Sequence, residues 1–215
     1  MNIRNTTAKE KMLKKIRQAL LQKAENPHPG FEGRSLYPNQ DEPLDITFAK
    51  EFTDLGGKFV YCEGEIDLIE QLIVLVEKVS VSKIYVWEKG LQDLLEPYGF
   101  PIRKSLQGLQ EIEASITTCE ALVARTGSVL LSNANESGRR LSIYAPIHIV
   151  IAKTSQLVSE MKDGLAIIQE RYGEAMPTMI SAVSGPSRTA DIEKRMVLGA
   201  HGPKELYLFL IEDRF

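Results

Sequence analysis

The sequence predicts an α/β protein built on a mostly parallel sheet flanked by helices, with an antiparallel hairpin inserted in it. Two observations carry this. From residue 46 onward, short β-branched or aromatic runs alternate with stretches whose apolar residues recur at helical spacing. Glycines close two of the predicted helices, Gly56-Gly57 after residues 46–55 and Gly99 after residues 91–98. The chain has 215 residues, 43% of them hydrophobic and 26% charged, enough to bury a substantial core.

The elements follow in order. Residues 7–25 read as a helix, with Met12, Leu13, Ile16, Ala19 and Leu20 opposite a face rich in Lys and Gln. Pro27, Pro29, Gly30, Pro38 and Pro43 then make residues 26–43 an extended connector. This divides the chain into an N-terminal helix and connector (1–43) and an α/β domain (44–215). Ile46–Leu55 suits a short helix and Lys58–Cys62 a strand. Ile66–Val79 is helical in its spacing, Lys83–Trp87 a strand, and Leu91–Tyr98 a short helix. Ala114–Thr117 reads as a strand and Cys119–Ala124 as a helical or turn segment. Two strand-like runs, Gly127–Ser132 and Leu141–Ala152, flank the polar stretch 133–138, and this pattern predicts the hairpin. Gln156–Glu170 reads as a helix, Thr178–Val183 as a strand, 189–197 as a short helix and Glu205–Glu212 as the last strand.

Composition narrows the function. The formal charge is −3 with acids and bases mixed, which argues against generic nucleic-acid binding. No apolar stretch approaches the roughly 20 residues of a membrane helix. The basic residues Arg4, Lys9, Lys11, Lys14 and Lys15 precede no apolar core, so the N-terminus does not read as a secretory signal and a cytoplasmic protein is expected. Cys62 and Cys119 are far apart and read as two buried free thiols. An iron–sulfur cluster normally takes about four thiolates, more than this chain supplies. Walker, dinucleotide-binding, zinc-protease and hydrolase-elbow signatures are absent, and no His/Cys/carboxylate cluster has metal-ligand spacing.

The strongest local signal is Ser184-Gly185-Pro186-Ser187-Arg188-Thr189-Ala190-Asp191-Ile192-Glu193. As a strand-to-helix turn it would aim backbone N–H groups and a helix dipole at an anion. Ser187 and Thr189 would add hydroxyl donors and Arg188 a guanidinium fork. Alternatively, Thr189 only caps the helix and Arg188 pairs with Asp191. Next comes Leu198-Gly199-Ala200-His201-Gly202-Pro203, where two glycines can bring an imidazole close to a ligand. Arg139 and Arg140, read as strand residues, alternate sides, so at most one faces any site. His148 reads as a core histidine in an apolar strand. The turn Arg125-Thr126-Gly127-Ser128 can lend hydroxyls to the same edge.

Ser184–Glu193, Leu198–Pro203 and the terminal apolar strand together resemble the lactate-utilisation protein C family (LUD domain). The Ala124–Ser128 turn and the Pro146-x-His148 strand are similar to two further landmarks, and the likeness spans about residues 45–215. Arg125 departs from it, standing where an acidic residue is expected. The resemblance implies a fold similar to the sugar-phosphate isomerase, CoA-transferase and folate cyclo-ligase group. It also implies a place in an NAD-independent system oxidising L-lactate, beside iron–sulfur proteins, with no catalytic step assigned to this subunit. The expected ligand-binding set is Thr126, Arg139, Gly185, Ser187, Arg188, Thr189, Asp191 and His201, taking a small carboxylate or phosphate. No catalytic residue and no cofactor is named by the sequence. Two other readings stay open: a stand-alone CoA-transferase- or cyclo-ligase-like enzyme with Glu136 as nucleophile, and a scaffold whose motifs only hold the last elements together.

Overall fold

The structure, a computed structural model, describes residues 7–21, 42–192 and 195–213. Helix α1 (Ala8–Leu21) lies in a unit ending at Asn39, and the remaining described residues lie in a second unit beginning at Gln40. Thr7 and Glu10 close the start of α1 as a reciprocal pair. The Glu10 N–H donates to the Thr7 hydroxyl, and the Thr7 N–H donates to the Glu10 carboxylate. Residues 22–25 of the expected helix and 26–41 of the expected connector lie outside the described residues.

The second unit is organised by a six-stranded parallel sheet. Its strands are β1 (Lys58–Cys62), β2 (Ile84–Tyr85), β3 (Ile102–Arg103), β4 (Ala114–Thr117), β7 (Ile147–Lys153) and β12 (Glu205–Ile211), in the order β1-β12-β7-β4-β2-β3. The long apolar runs of β7 and β12 follow from their central places, where both faces are covered. On one face Ile149, Ile151, Phe209 and Ile211 meet Leu68, Leu72 and Leu75 of helix α3 (Glu65–Val79) and Leu91 and Leu95 of helix α4 (Lys89–Leu95). Each such side chain contributes roughly 1.5–3 kcal/mol by leaving water.

The other face carries Val150, Leu206, Leu208 and Leu210. It is covered by Phe48 and Phe52 of helix α2 (Leu44–Asp54) and by a second sheet. That sheet runs β8-β5-β6-β9, from β5 (Ala121–Val123), β6 (Ser128–Ser132), β8 (Leu157–Val158) and β9 (Ile180–Val183). Its alternation is strict: Leu122, Val129 and Leu131 face the central sheet. Ala121, Val123 and Leu130 face Ile168 of helix α6 (Met161–Tyr172) on the far side.

The α/β class with a mostly parallel sheet therefore holds, and four local expectations change. The runs 127–132 and 141–152 do not pair: β6 belongs to the second sheet, β7 to the first, and Leu141–Tyr144 is a helical turn, α5. Residues 189–197 are not a helix. β10 (Arg188–Ile192) and β11 (Arg195–Leu198) form a separate antiparallel hairpin, pairing Arg188 with Leu198 and Thr189 with Val197. β-Branched Thr189 and Val197 suit that pleat. The Cys119–Ala124 segment holds β5, an interior strand that pairs β6 on one side and β8 on the other. Finally, α6 starts at Met161, later than expected. Glu160 and Asp163 form its capping box, and Arg125 bonds Glu160 across 2.7 Å.

Candidate functional site

Two edges of the central sheet collect the polar residues. The amino edge holds the 184–203 segment. Gly185, at φ +100, lets the chain pass so close to α2 that a Cβ there would sit 2.6 Å from the Leu55 carbonyl oxygen. Arg188 then reaches back over Gly56 and donates from Nη2 to that same oxygen at 2.7 Å. Its guanidinium thus caps the C-terminus of α2 rather than opening a helix of its own. Beside it, hydroxyls are spent on one another: Thr126 Oγ1 lies 2.8 Å from Ser128 Oγ, which lies 2.6 Å from Ser184 Oγ.

Further along the same edge, the Ser187 N–H donates to the Pro203 carbonyl at 2.8 Å, and the Gly199 N–H donates to the Ser187 carbonyl at 2.9 Å. This clasp brings Ser187 against Gly202 and leaves His201 exposed. His201 lines a cavity of about 380 Å³ with Ile143, Tyr144, Pro146 and Lys204. Thr189 pairs within the hairpin, and the side chain of Asp191 lies outside the described residues. The structure therefore gathers Thr126, Gly185 and Arg188 around the end of α2 and sets Ser187 beside the His201 loop. Arg139 is elsewhere.

Arg139 lies at the carboxyl edge, at the place where the chain reverses its progress through the sheet. After β2 the chain moves outward through α4 to β3. After β4 it moves the other way, through the second sheet to β7 and β12. β2 and β4 are hydrogen-bonded neighbours, so a crevice opens beyond their carboxyl ends, where open α/β sheets bind ligands. Its frame is Glu88, 8% exposed, just past β2. The Glu88 carboxylate accepts from the Thr118 N–H at 3.0 Å, from the Thr118 hydroxyl, and from the Ser137 hydroxyl at 2.7 Å. It thereby ties the ends of β2 and β4 to the 133–140 loop. Asn133 holds the other end of that loop, donating to Thr178 Oγ1 at 2.8 Å.

The resulting cavity is about 480 Å³, lined by Trp87, Asn133, Glu136, Arg139, Arg140 and Thr178 among others. Arg139 and Arg140 both line it. They stand in a turn leading into α5, not in a strand, so the expected alternation of sides does not apply. The carboxylate of Glu136 is held by the Lys89 N–H at 2.5 Å. Trp87 Nε1 is shielded from solvent and, among the described residues, has no hydrogen-bond partner. Sequence reasoning passed over Trp87 and Glu88, although a lone tryptophan at a strand's carboxyl end is a usable signal.

Three buried titratable groups belong to the core. His148 is fully buried, and its Nε2 lies 2.9 Å from Thr117 Oγ1. Nδ1 has no partner among the described residues, and burial pushes the pKa down to about 4. Cys62 and Cys119 are free thiols packed on opposite faces of the central sheet. Burial pushes Cys62 up to about 12 and raises Cys119 as well. Among the described residues, no three His, Cys, Asp or Glu side chains gather as metal ligands, and no helix is long and apolar enough to cross a membrane.

Comparison with known proteins places this architecture. A model of the LUD domain family matches residues 7–211. The chain belongs to the LUD domain family. Among relatives of this LUD chain is lactate utilization protein C of Bacillus licheniformis, 30% identical over 135 residues, 62% of this chain and 52% of that protein. Lactate utilization protein C of Bacillus velezensis is 28% identical over 176 residues, covering 75% of this chain and 71% of its own. The LUD chain thus aligns with only about half the length of its first curated relative. A DUF162 family protein from Deinococcus radiodurans shares the fold, with a TM-score of 0.62 at 17% identity. The match covers 81% of this chain and 99% of that one. The resemblance drawn from residues 184–203 is therefore borne out at the level of family and fold.

Proposed function

We propose that this LUD chain is a component of a lactate-utilisation system, binding a small anion, cofactor or iron–sulfur partner rather than oxidising lactate alone. The observation that carries this reading is the family membership together with relatives named lactate utilization protein C. In this reading Ser187, Thr189 and His201 form the contact set at the amino edge, and Arg188 supports them by fixing the clasp to α2. The location we propose is cytoplasmic.

The test is genetic and biochemical. Deleting the gene should abolish growth on L-lactate and spare growth on glucose. The tagged chain from lactate-grown cells should bring down iron–sulfur proteins with lactate-dependent dye reduction. Wild-type growth of the deletion strain on L-lactate would end this reading.

A second reading keeps one specific observation in its favour. Glu136, the nucleophile of a stand-alone CoA-transferase-like enzyme, shares a cavity with Arg139 and Arg140. That reading requires acyl or CoA exchange by the purified chain alone, abolished in Glu136→Gln.

A further inference from the structure

We infer that the crevice beyond the carboxyl ends of β2 and β4 is an oxyanion-binding site, with Arg139 and Arg140 as its cationic wall and Trp87 as its apolar wall. The inference does not rest on the lactate reading and concerns a different edge of the sheet from the 184–203 segment.

Four independent observations meet there. The topology reverses between β2 and β4, with α4 and the second sheet leaving on opposite faces, so the gap between them is left uncovered by either connection. The cavity of about 480 Å³ falls within the range of small-molecule sites, roughly 300–1,000 Å³. The backbone carbonyls of Arg139 and Arg140 accept from the Ser142 hydroxyl and from the Ile143 and Tyr144 N–H groups. The two guanidinium groups have no hydrogen-bond or ion-pair partner among the described residues, so their donors are available. Finally, the frame is rigid without them. The buried Glu88 spends its carboxylate on Thr118 and Ser137, and Asn133 is bonded to Thr178 and to the Met179 backbone. Two free arginines on a loop fixed from behind are the arrangement that binds carboxylate or phosphate through charge-assisted hydrogen bonds.

The ligand class follows from the walls. The charged end is a carboxylate or phosphate that meets the two guanidinium groups. The body lies toward Trp87, whose indole offers an apolar face. Glu136 stands on the same wall, its carboxylate repelling a bound anion, and so limits affinity.

Trp87 is the chain's sole tryptophan, so its fluorescence reports this cavity alone. The full chain is titrated with inorganic phosphate and, separately, with L-lactate, at constant ionic strength against chloride, by calorimetry and by tryptophan emission. We expect saturable binding of at least one anion with a matching change in emission. Phosphate alone would identify a phosphorylated ligand, and L-lactate alone a carboxylate one. Arg139→Gln with Arg140→Gln should weaken binding by about tenfold or more. Glu136→Gln, which keeps the acceptor for the Lys89 N–H, should tighten it severalfold, an effect that misfolding cannot imitate. Lys162→Gln, which removes an exposed cation on α6 that does not line this cavity, should leave it unchanged. Failure of both anions to bind overturns the proposal. So does binding that leaves the tryptophan silent and survives the double arginine variant. Neither result touches the growth phenotype on which the lactate reading stands.

Discussion

Arg188 donates a 2.7 Å hydrogen bond to the carbonyl of Leu55, joining two residues 133 positions apart at the end of α2. Gly56 makes the bond possible: a Cβ there would lie 2.5 Å from Arg188 Nη2. The residue that sequence chemistry marks for anion binding is thus also a helix cap, and its two roles are separable by stability measurements.

Removing the cap in Arg188→Ala should cost about 1 kcal/mol and lower Tm by roughly 2–4 °C for a chain of this size. Gly56→Ala should cost more, because φ at this position is +88 and the new methyl displaces the guanidinium. The double variant should be less destabilised than the sum of the two, since both act on one contact. Strict additivity in thermal unfolding would show that Arg188 and Gly56 do not meet.

Gly127 sits at φ +54 against α2, where a Cβ would come within 2.4 Å of the Phe52 backbone nitrogen. Gly127→Ala should therefore destabilise by roughly 2–4 kcal/mol, the sum of backbone strain and overpacking. Gly99 is also left-handed, at φ +75, but faces open space. Gly99→Ala should cost only about 1 kcal/mol. Urea unfolding of the pair separates close approach from backbone conformation.

His148 gives stability a pH dependence with a definite sign. Its pKa falls from 6.5 to about 4 on folding because burial disfavours the imidazolium. The unfolded chain therefore takes up the proton first. The contribution is fully present above about pH 6.5 and is lost as pH falls from there toward 4, by up to about 3 kcal/mol. Denaturant melts of the wild type and His148→Gln across this window should diverge in slope, the wild type falling faster. Parallel curves would mean that His148 is not held neutral.

Both thiols should be inert in the native protein. Cys62 is buried with its pKa raised to about 12, and Cys119 is buried on the opposite face of the sheet. A thiol-specific chromogenic reagent should label neither at pH 8 and both in guanidinium chloride. Rapid labelling of the folded chain would show that one of the two is exposed.

Much of the central sheet was legible in the amino acids. Lys58–Cys62 and Ala114–Thr117 form strands over the expected residues, and Ile66–Val79 falls within α3. In each case the local pattern and the tertiary environment ask for the same conformation. The 189–197 stretch shows the opposite. Thr189 in a capping position before Asp191 favours a helix locally, yet pairing of Arg188 with Leu198 and Thr189 with Val197 makes a hairpin. Partner choice was equally hidden for Ser128–Ser132. Its alternation gives a strand, but nothing in it specifies β5 and β9 over Leu141–Ala152.

By itself, then, the sequence determined the α/β class, the mostly parallel sheet, the two buried thiols and, through the 184–203 motif, the family. These depend on periodicity and on short contiguous motifs, which are local properties. Tertiary structure alone decided that Arg188 caps α2, and that Trp87, Glu136, Arg139 and Arg140 share one cavity. The order of strands in the sheet brings Trp87 and Arg139 together across half a hundred residues. That order is set by which faces must be buried against which, and this is a property of the whole chain rather than of any segment.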